Sequence, residues 1–244
     1  MTGVVQIRPL VGADVAEASA LHREILDMEF LSRCGSGFMR AYYRAWVEAP
    51  GAISLVARDE GGELLGVVLG ATDPATHVRA MVRESGVRLG IRLALYAVGH
   101  PSFARDLVVT RGRRYVRGVV RLVVARLSHA RASSGPSTDP RVGEITHVLV
   151  RSQRQGSGVG RALLDAAVAA GRAAGLDELV LVTPPDLAAG GFYRHLGWRA
   201  DGEMTSRSGE AFVRYRYLLD EGGRGDGGRG EGGRGDGGNR PGPR

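Results

Sequence analysis

Three glycines at alternate positions, Gly156, Gly158 and Gly160, follow the apolar run Val148-Leu149-Val150 and lead into Arg161-Ala162-Leu163-Leu164, which reads as the start of a helix. A strand that enters a glycine-rich turn and leaves as a helix suits anion binding. Missing Cβ atoms let successive backbone N–H groups converge, and the helix N-terminus adds unsatisfied donors and partial positive charge. A tight turn and nothing more is the other reading of the same glycines. The spacing is G-x-G-x-G rather than the dinucleotide G-x-G-x-x-G. Gln155 stands where a hydrolase elbow built on Ser157 would need glycine. All 33 basic residues are arginine, so a P-loop and Schiff-base chemistry are excluded for want of lysine. His22, His77, His100, His129, His147 and His195 show no metal-ligand spacing with one another or with the single cysteine, Cys34, and no metal is expected.

The elements that must position this loop read as an α/β alternation. Val4 to Ile7, Ile53 to Ala57 and Leu64 to Ala71 have strand character, the last two joined by a turn over Arg58–Glu63. Two helices lie between the first and second strands. Asp14 and Glu17 stand at capping-box spacing at the start of one, and Phe38, Tyr42 and Trp46 form an aromatic stripe on the other, near Gly37–Val47. Further on, Glu144–Val150, a helix over Gly160–Ala174 and Glu178–Thr183 form a strand-helix-strand unit, whose right-handed crossover requires a parallel pair. A short helix near Leu187–Leu196 and a strand over Ala211–Leu219 close the chain.

At 244 residues with 43% hydrophobic side chains, the chain has material for one substantial core. Residues 72–140 carry 12 arginines against 4 acids, a balance of +8 that exceeds the +7 of the whole chain. Two helices are expected there, near Val78–Ala97 and Arg113–Arg131, with arginines on one flank and Leu89, Leu93, Leu122 and Val123 on another. Such a flank is solvated, steers an anionic ligand, or meets an acidic partner, a lipid surface or nucleic acid. Few aromatics lie among the arginines, which argues against stacking on single strands. Residues 221–244 repeat Gly-Gly-Arg-Gly-Asp/Glu without apolar side chains and read as a disordered tail. No run of 18 apolar residues occurs, no secretory leader is evident at Met1–Leu10, and a cytoplasmic location is expected.

The loop with its flanks resembles the GCN5-related N-acetyltransferase (GNAT) superfamily. Gln155, Gly158 and Gly160 fill that family's Q/R-x-x-G-x-G/A, and Val150 stands at the end of the preceding strand. Asp186, Ala189, Tyr193, Gly197 and Trp198 match N-x-x-A-x-x-x-Y-x-x-x-G-F/W, with Asp186 in place of the usual Asn. The resemblance covers roughly residues 144–198. It implies an α/β fold with a mixed, mainly antiparallel sheet, a splayed parallel strand pair and flanking helices, over residues 1–220. Residues 72–140 would be a basic helical insertion without counterpart in the minimal fold.

The resemblance further implies transfer of an acetyl group from acetyl-CoA to a primary amine by direct attack on the thioester. Gly156, Ser157, Gly158, Val159, Gly160 and Arg161 would take the pyrophosphate, with Gln155 and Asp186 as further cofactor-binding positions. Val148 and Val150 would pair with the pantetheine amides, and the N–H of Val148, or of a neighbour on that strand, would also face the developing oxyanion. Glu144 holds the place of the base in the histone-acetylating branch, and Tyr193 that of the acid that protonates the sulfur. A solvated strand-edge carboxylate and a packing tyrosine are the plain alternatives. Strict alternation puts His147 on the other face from Glu144, and only a bulge would bring both into one cleft. A non-catalytic acyl-CoA-binding or sensor module is the rival function. The acceptor and the oligomeric state stay open, a homodimer included.

Overall fold

The computed structural model describes residues 4–27, 30–106, 140–185, 189–205 and 211–219. Seven strands form one sheet: β1 (Gln6–Pro9), β2 (Ala52–Arg58), β3 (Leu64–Ala71), β4 (Val142–Val150), β5 (Glu178–Thr183), β6 (Arg199–Thr205) and β7 (Ala211–Leu218). Their spatial order is β1-β2-β3-β4-β5-β7-β6, and every neighbouring pair is antiparallel except β4 and β5. This is the mixed α/β sheet, with one parallel pair, that the motifs implied.

Among the described residues seven α-helices flank it: α1 (Val15–Ile25), α2 (Phe30–Arg33), α3 (Gly35–Glu48), α4 (Pro74–Gly99), α5 (Pro101–Asp106), α6 (Val159–Ala173) and α7 (Ala189–His195). One core lies between α1, α3 and the sheet and takes Phe38, Tyr42 and Trp46, so the aromatic stripe is packing. The other lies under α6, which buries Val159, Leu163, Leu164, Ala167 and Val168 at helical spacing. Burial of Leu163 and Leu164 stabilises the fold by about 2 kcal/mol each. Covered on both faces, β3 is buried along its whole length, which explains its unbroken apolar sequence.

Helix α4 is longer than the expected Val78–Ala97. Asp73 caps it by accepting from the Thr76 N–H at 3.0 Å, with Pro74 in the first turn. It packs on α3 through His77, Ala80, Met81 and Ser85, with Leu89 and Leu93 partly buried against the same core. Its arginines are partly tied: Arg83 to Glu84 at 2.8 Å, and Arg88 to Ser85 at 2.8 Å and Glu48 at 3.4 Å. The second expected helix, Arg113–Arg131, and the tail lie outside the described residues. Among those described, no helix is long and apolar enough to cross a membrane.

Two expectations need correction. Asp14 stands at the N-cap of α1, but its side chain makes no capping bond there. It closes a 3-10 turn, Gly12–Asp14, by accepting from the Val11 N–H at 3.0 Å. Its buried carboxylate takes two bonds from Arg8 at 2.7 Å each and one from Arg58 at 2.8 Å, while Glu17 binds Arg58 at 2.7 Å. These bonds, Arg8 foremost, hold the Asp14 carboxyl well below the usual carboxylate range. The second correction is β6, which sequence reading omitted. Its RADGEMT is exposed throughout and lacks alternation, and pairing with β7 is what makes it a strand.

Candidate active site

The site is built on a defect in β4. Its register with β3 runs Val148 to Val68 and His147 to Leu69, then slips so that Ile145 faces Gly70 and Glu144 faces Ala71. The extra residue is Thr146. This β-bulge reverses the alternation, so Glu144 and His147 share one face, the one covered by α1 and α3, while Ile145 enters the core under α6. The condition under which His147 would join Glu144 is therefore met, and its assignment to the opposite face is corrected.

At the same point β4 and β5 part. Their parallel pairing runs from Val142–Glu178 to Ile145–Leu181 and stops, while β5 continues to Thr183 alongside β7. Beyond Ile145, β4 keeps β3 on one side and a gap on the other. The Arg151 N–H donates to the Leu65 carbonyl at 2.9 Å. In an antiparallel ladder, Leu149 and His147 then turn their main-chain groups to β3, and Val148 and Val150 turn theirs into the gap.

The gap leads to the glycine loop. After a 3-10 turn at Ser152–Arg154 the chain passes Gln155 and reaches Gly156 (φ +75°) and Gly158 (φ +88°), both in the left-handed region that glycine tolerates. Gly158 is the N-cap of α6 and has no side chain to cap it. The first helical bond in the loop is Ala162 N–H to Gly158 at 3.0 Å, so the amides of Val159, Gly160 and Arg161 precede any intrahelical partner. A Cβ on Gly156 or Gly158 would meet nothing within 4 Å, whereas one on Gly160 would lie 3.1 Å from Phe192 and 3.5 Å from Val150. The first two glycines leave open space beside the amides of Val159, Gly160 and Arg161, while the Ser157 N–H donates to the Arg154 carbonyl at 3.4 Å, and the third glycine lets α6 close on its neighbours. The Ser157 hydroxyl turns back to the Arg154 carbonyl, and Arg161 sits 3.8 Å from Asp165. Arg151 and Arg154 beside the loop are answered by Glu63 and Asp59 at 3.4–3.8 Å.

Glu144 is half-buried, and loss of solvent raises its carboxyl above the ordinary value, moderated by Arg214 and His147. Arg214 lies on β7 opposite Val182, on the same sheet face as Glu144 through Val180. Nothing in the sequence signalled Arg214, seventy residues downstream. Behind His147 stands His22 of α1, ring centroids 4.7 Å apart, and His22 Nδ1 shares a 3.0 Å hydrogen bond with the Tyr43 hydroxyl. This polar cluster in the α1–α3 core was also missed, since only the fold brings its members together.

Tyr193 lies on α7, on the other face of the sheet from Glu144, packed against Phe192, Trp198 and Tyr215. Burial, helped by Tyr215, pushes its hydroxyl up to about 12. The helix ends in a Schellman turn: Trp198 N–H to Tyr193 C=O and Gly197 N–H to Arg194 C=O, both 3.0 Å, with Gly197 at φ +85°. The spacing of Tyr193, Gly197 and Trp198 is thus a device that fixes the tyrosine helix against the sheet. Asp186 lies outside the described residues. Among those described, no group of three or more His, Cys, Asp or Glu side chains could hold a metal ion.

A search of curated proteins finds no match to the sequence. The family model "Acetyltransferase (GNAT) family" matches residues 110–198. Among solved structures, a spermidine N-acetyltransferase SpeG chimera from Vibrio cholerae and hSSAT superposes with a TM-score of 0.55 at 13% identity, covering 88% of this chain and 95% of that one. A structure described as histone acetyltransferase HPA2 and related acetyltransferase from Corynebacterium glutamicum gives 0.51 at 20%, covering 88% and 96%. The yncA protein from Salmonella typhimurium, solved with its cofactor acetyl-CoA, gives 0.52 at 17%, covering 91% and 98%. These likenesses establish that the chain shares the fold of GNAT acetyltransferases, and the GNAT family match takes in the glycine loop and the tyrosine helix.

Proposed function

We propose that this chain is an N-acetyltransferase that moves the acetyl group of acetyl-CoA to a primary amine by direct attack. One observation carries the reading: β4 opens its Val148 and Val150 amides to a gap that ends at the uncapped N-terminus of α6. A long donor with amides in its arm and a pyrophosphate at one end fits such a groove. Acetyl-CoA supplies the activated thioester carbonyl, and that is all the chemistry asked of it. Val148 and Val150 would pair with its arm as an added strand, and the loop from Gly156 to Arg161 would hold the pyrophosphate, with Gln155 and Asp186 as further cofactor-binding positions.

Glu144 would take the proton of the attacking amine. Its carboxyl, raised by burial and drawn back in part by Arg214 and His147, is a stronger base than a solvated one. The Val148 N–H, aimed into the gap, would donate to the oxygen on which charge develops, a contribution of about 3 kcal/mol. Tyr193, protonated up to about 12, would donate a hydrogen bond to the departing sulfur. A thiol of pKa about 8.5 leaves readily as thiolate, so that bond need not become a full proton transfer. Glu144 and Tyr193 lie on opposite faces of the sheet, and the parted strands are where both faces can meet one substrate.

The test is release of CoA from acetyl-CoA in the presence of amines, peptides and aminoglycosides. Acceptor-dependent release with an acetylated product supports the reading. Tight CoA binding without turnover of any acceptor would instead favour the binding or sensor module.

A further inference from the structure

A second cationic site lies at the far end of α6. A cleft of about 540 Å³, within the range of small-ligand sites, is bordered by Arg172, Arg194, Arg199 and Arg216 above Trp198 and Tyr217. Arg172 lies in the last turn of α6 and Gly158 caps its start, so the cleft stands about 20 Å from the glycine loop at 1.5 Å per residue. It occupies the opposite end of the sheet from the parted strands, where Glu178 of β5 faces Leu218 of β7.

The four guanidinium groups are not alike. Arg216 is neutralised by Glu178 and Asp201, each at 3.0 Å. Arg172 donates from Nε to the Leu219 carbonyl at 3.3 Å, and Arg194 donates from Nη1 to the Tyr215 hydroxyl at 3.2 Å. Neither meets a carboxylate among the described residues. Both stand in the last turn of a helix, where a cation offsets the negative end of the helix dipole. That role uses charge alone. Each guanidinium has five N–H groups in a planar fork, and among the described residues one is committed on each, so the rest can meet paired oxygens across the cleft. The Nε and Nη1 bonds also fix where the two forks point. Among the described residues no acidic side chain lines the cleft.

From this cleft we infer that the chain has a second ligand site, which takes a small dianion, a phosphate monoester or a dicarboxylate, held between Arg172 and Arg194 with Arg199 at its rim. It shares no residue with the proposed coenzyme site and stands whether or not that reading holds.

The test is calorimetry on the full chain at low ionic strength, with inorganic phosphate, glycerol 3-phosphate and succinate as probes, with and without saturating CoA. Saturable binding of at least one probe that persists with CoA present supports the site, and the preferred probe tells phosphate from carboxylate chemistry. The exposed pair Arg172→Gln and Arg194→Gln, made together, should weaken that probe at least tenfold and leave CoA affinity unchanged. If the double variant melts early, each single variant should weaken binding at least threefold. Absence of saturable heat with every probe, displacement by CoA, or unchanged affinity in the variants overturns the proposal.

Discussion

Glu144 and His147 face the same side of β4 although they stand three positions apart, because Thr146 is an extra residue in the ladder opposite Leu69 and Gly70. Without that bulge the carboxylate and the imidazole would point to opposite cores. With it, His147 acts electrostatically on Glu144, and Arg214 does so from β7. Replacement of Glu144 by Gln keeps the shape of the side chain and removes the basic group. The expected result is a fall in kcat of about 100-fold or more. The pH profile separates base from bystander. A carboxyl raised above its ordinary value is basic only above that value, so wild-type activity is lost as pH falls through it. In the variant that limb should vanish while the limb set by the acceptor amine stays. An unchanged profile would remove Glu144 from the proposed mechanism.

Tyr193→Phe keeps the ring that packs on Phe192, Trp198 and Tyr215 and deletes the hydroxyl alone. The expected loss in kcat is roughly 10- to 100-fold, the worth of a hydrogen bond to a charged group. CoA affinity should stay within about twofold, because the phosphate end is held elsewhere. Since the hydroxyl remains protonated up to about 12, no activity limb below that pH should be traceable to Tyr193. Equal losses in kcat and in CoA affinity would mark the residue as packing.

The contrast between these two residues shows what the sequence could and could not disclose. Tyr193, Gly197 and Trp198 are legible because one local device, the Schellman turn, needs them at fixed spacing. The glycine loop and β3 are legible for the same reason, since backbone conformation and two-sided burial leave direct marks on composition. The bulge leaves none: Thr146 is an ordinary strand residue, and its insertion is defined by β3, far away in the chain. The β6 strand is similarly silent, its exposed RADGEMT having only β7 to define it. Arg214 and His22 join the site through sheet order and helix packing, which are properties of the whole fold.

Gly158→Ala tests the loop. At φ +88° an alanine costs about 1–2 kcal/mol of strain, and because its Cβ would meet nothing within 4 Å, no clash adds to that. The methyl would instead stand over the open amides. The expected result is modest destabilisation with a clear rise in KM for acetyl-CoA. Gly90→Ala, within α4 and also in open space, should stabilise by about 0.5–1 kcal/mol and leave that KM alone. Equal KM values in the two variants would show that the loop carries no phosphate.

Asp14→Asn tests the ion cluster that joins β1, β2 and α1. The carboxylate is 2% exposed and receives three bonds from Arg8 and Arg58 plus one from the Val11 N–H. Loss of its charge leaves the half-buried Arg58 with Glu17 as its remaining acidic partner. Breaking such a buried pair costs about 3 kcal/mol, less any bonds the amide retains. The sign of the pH dependence follows from the depressed carboxyl. Its stabilisation is fully present above the ordinary aspartate value and is lost as pH falls through the lower value held in the fold. Denaturant melts should therefore separate wild type and variant by the full amount at pH 7, and the two curves should converge in strong acid. A gap that stayed constant into acid would mean that Asp14 contributes shape and hydrogen bonding rather than charge.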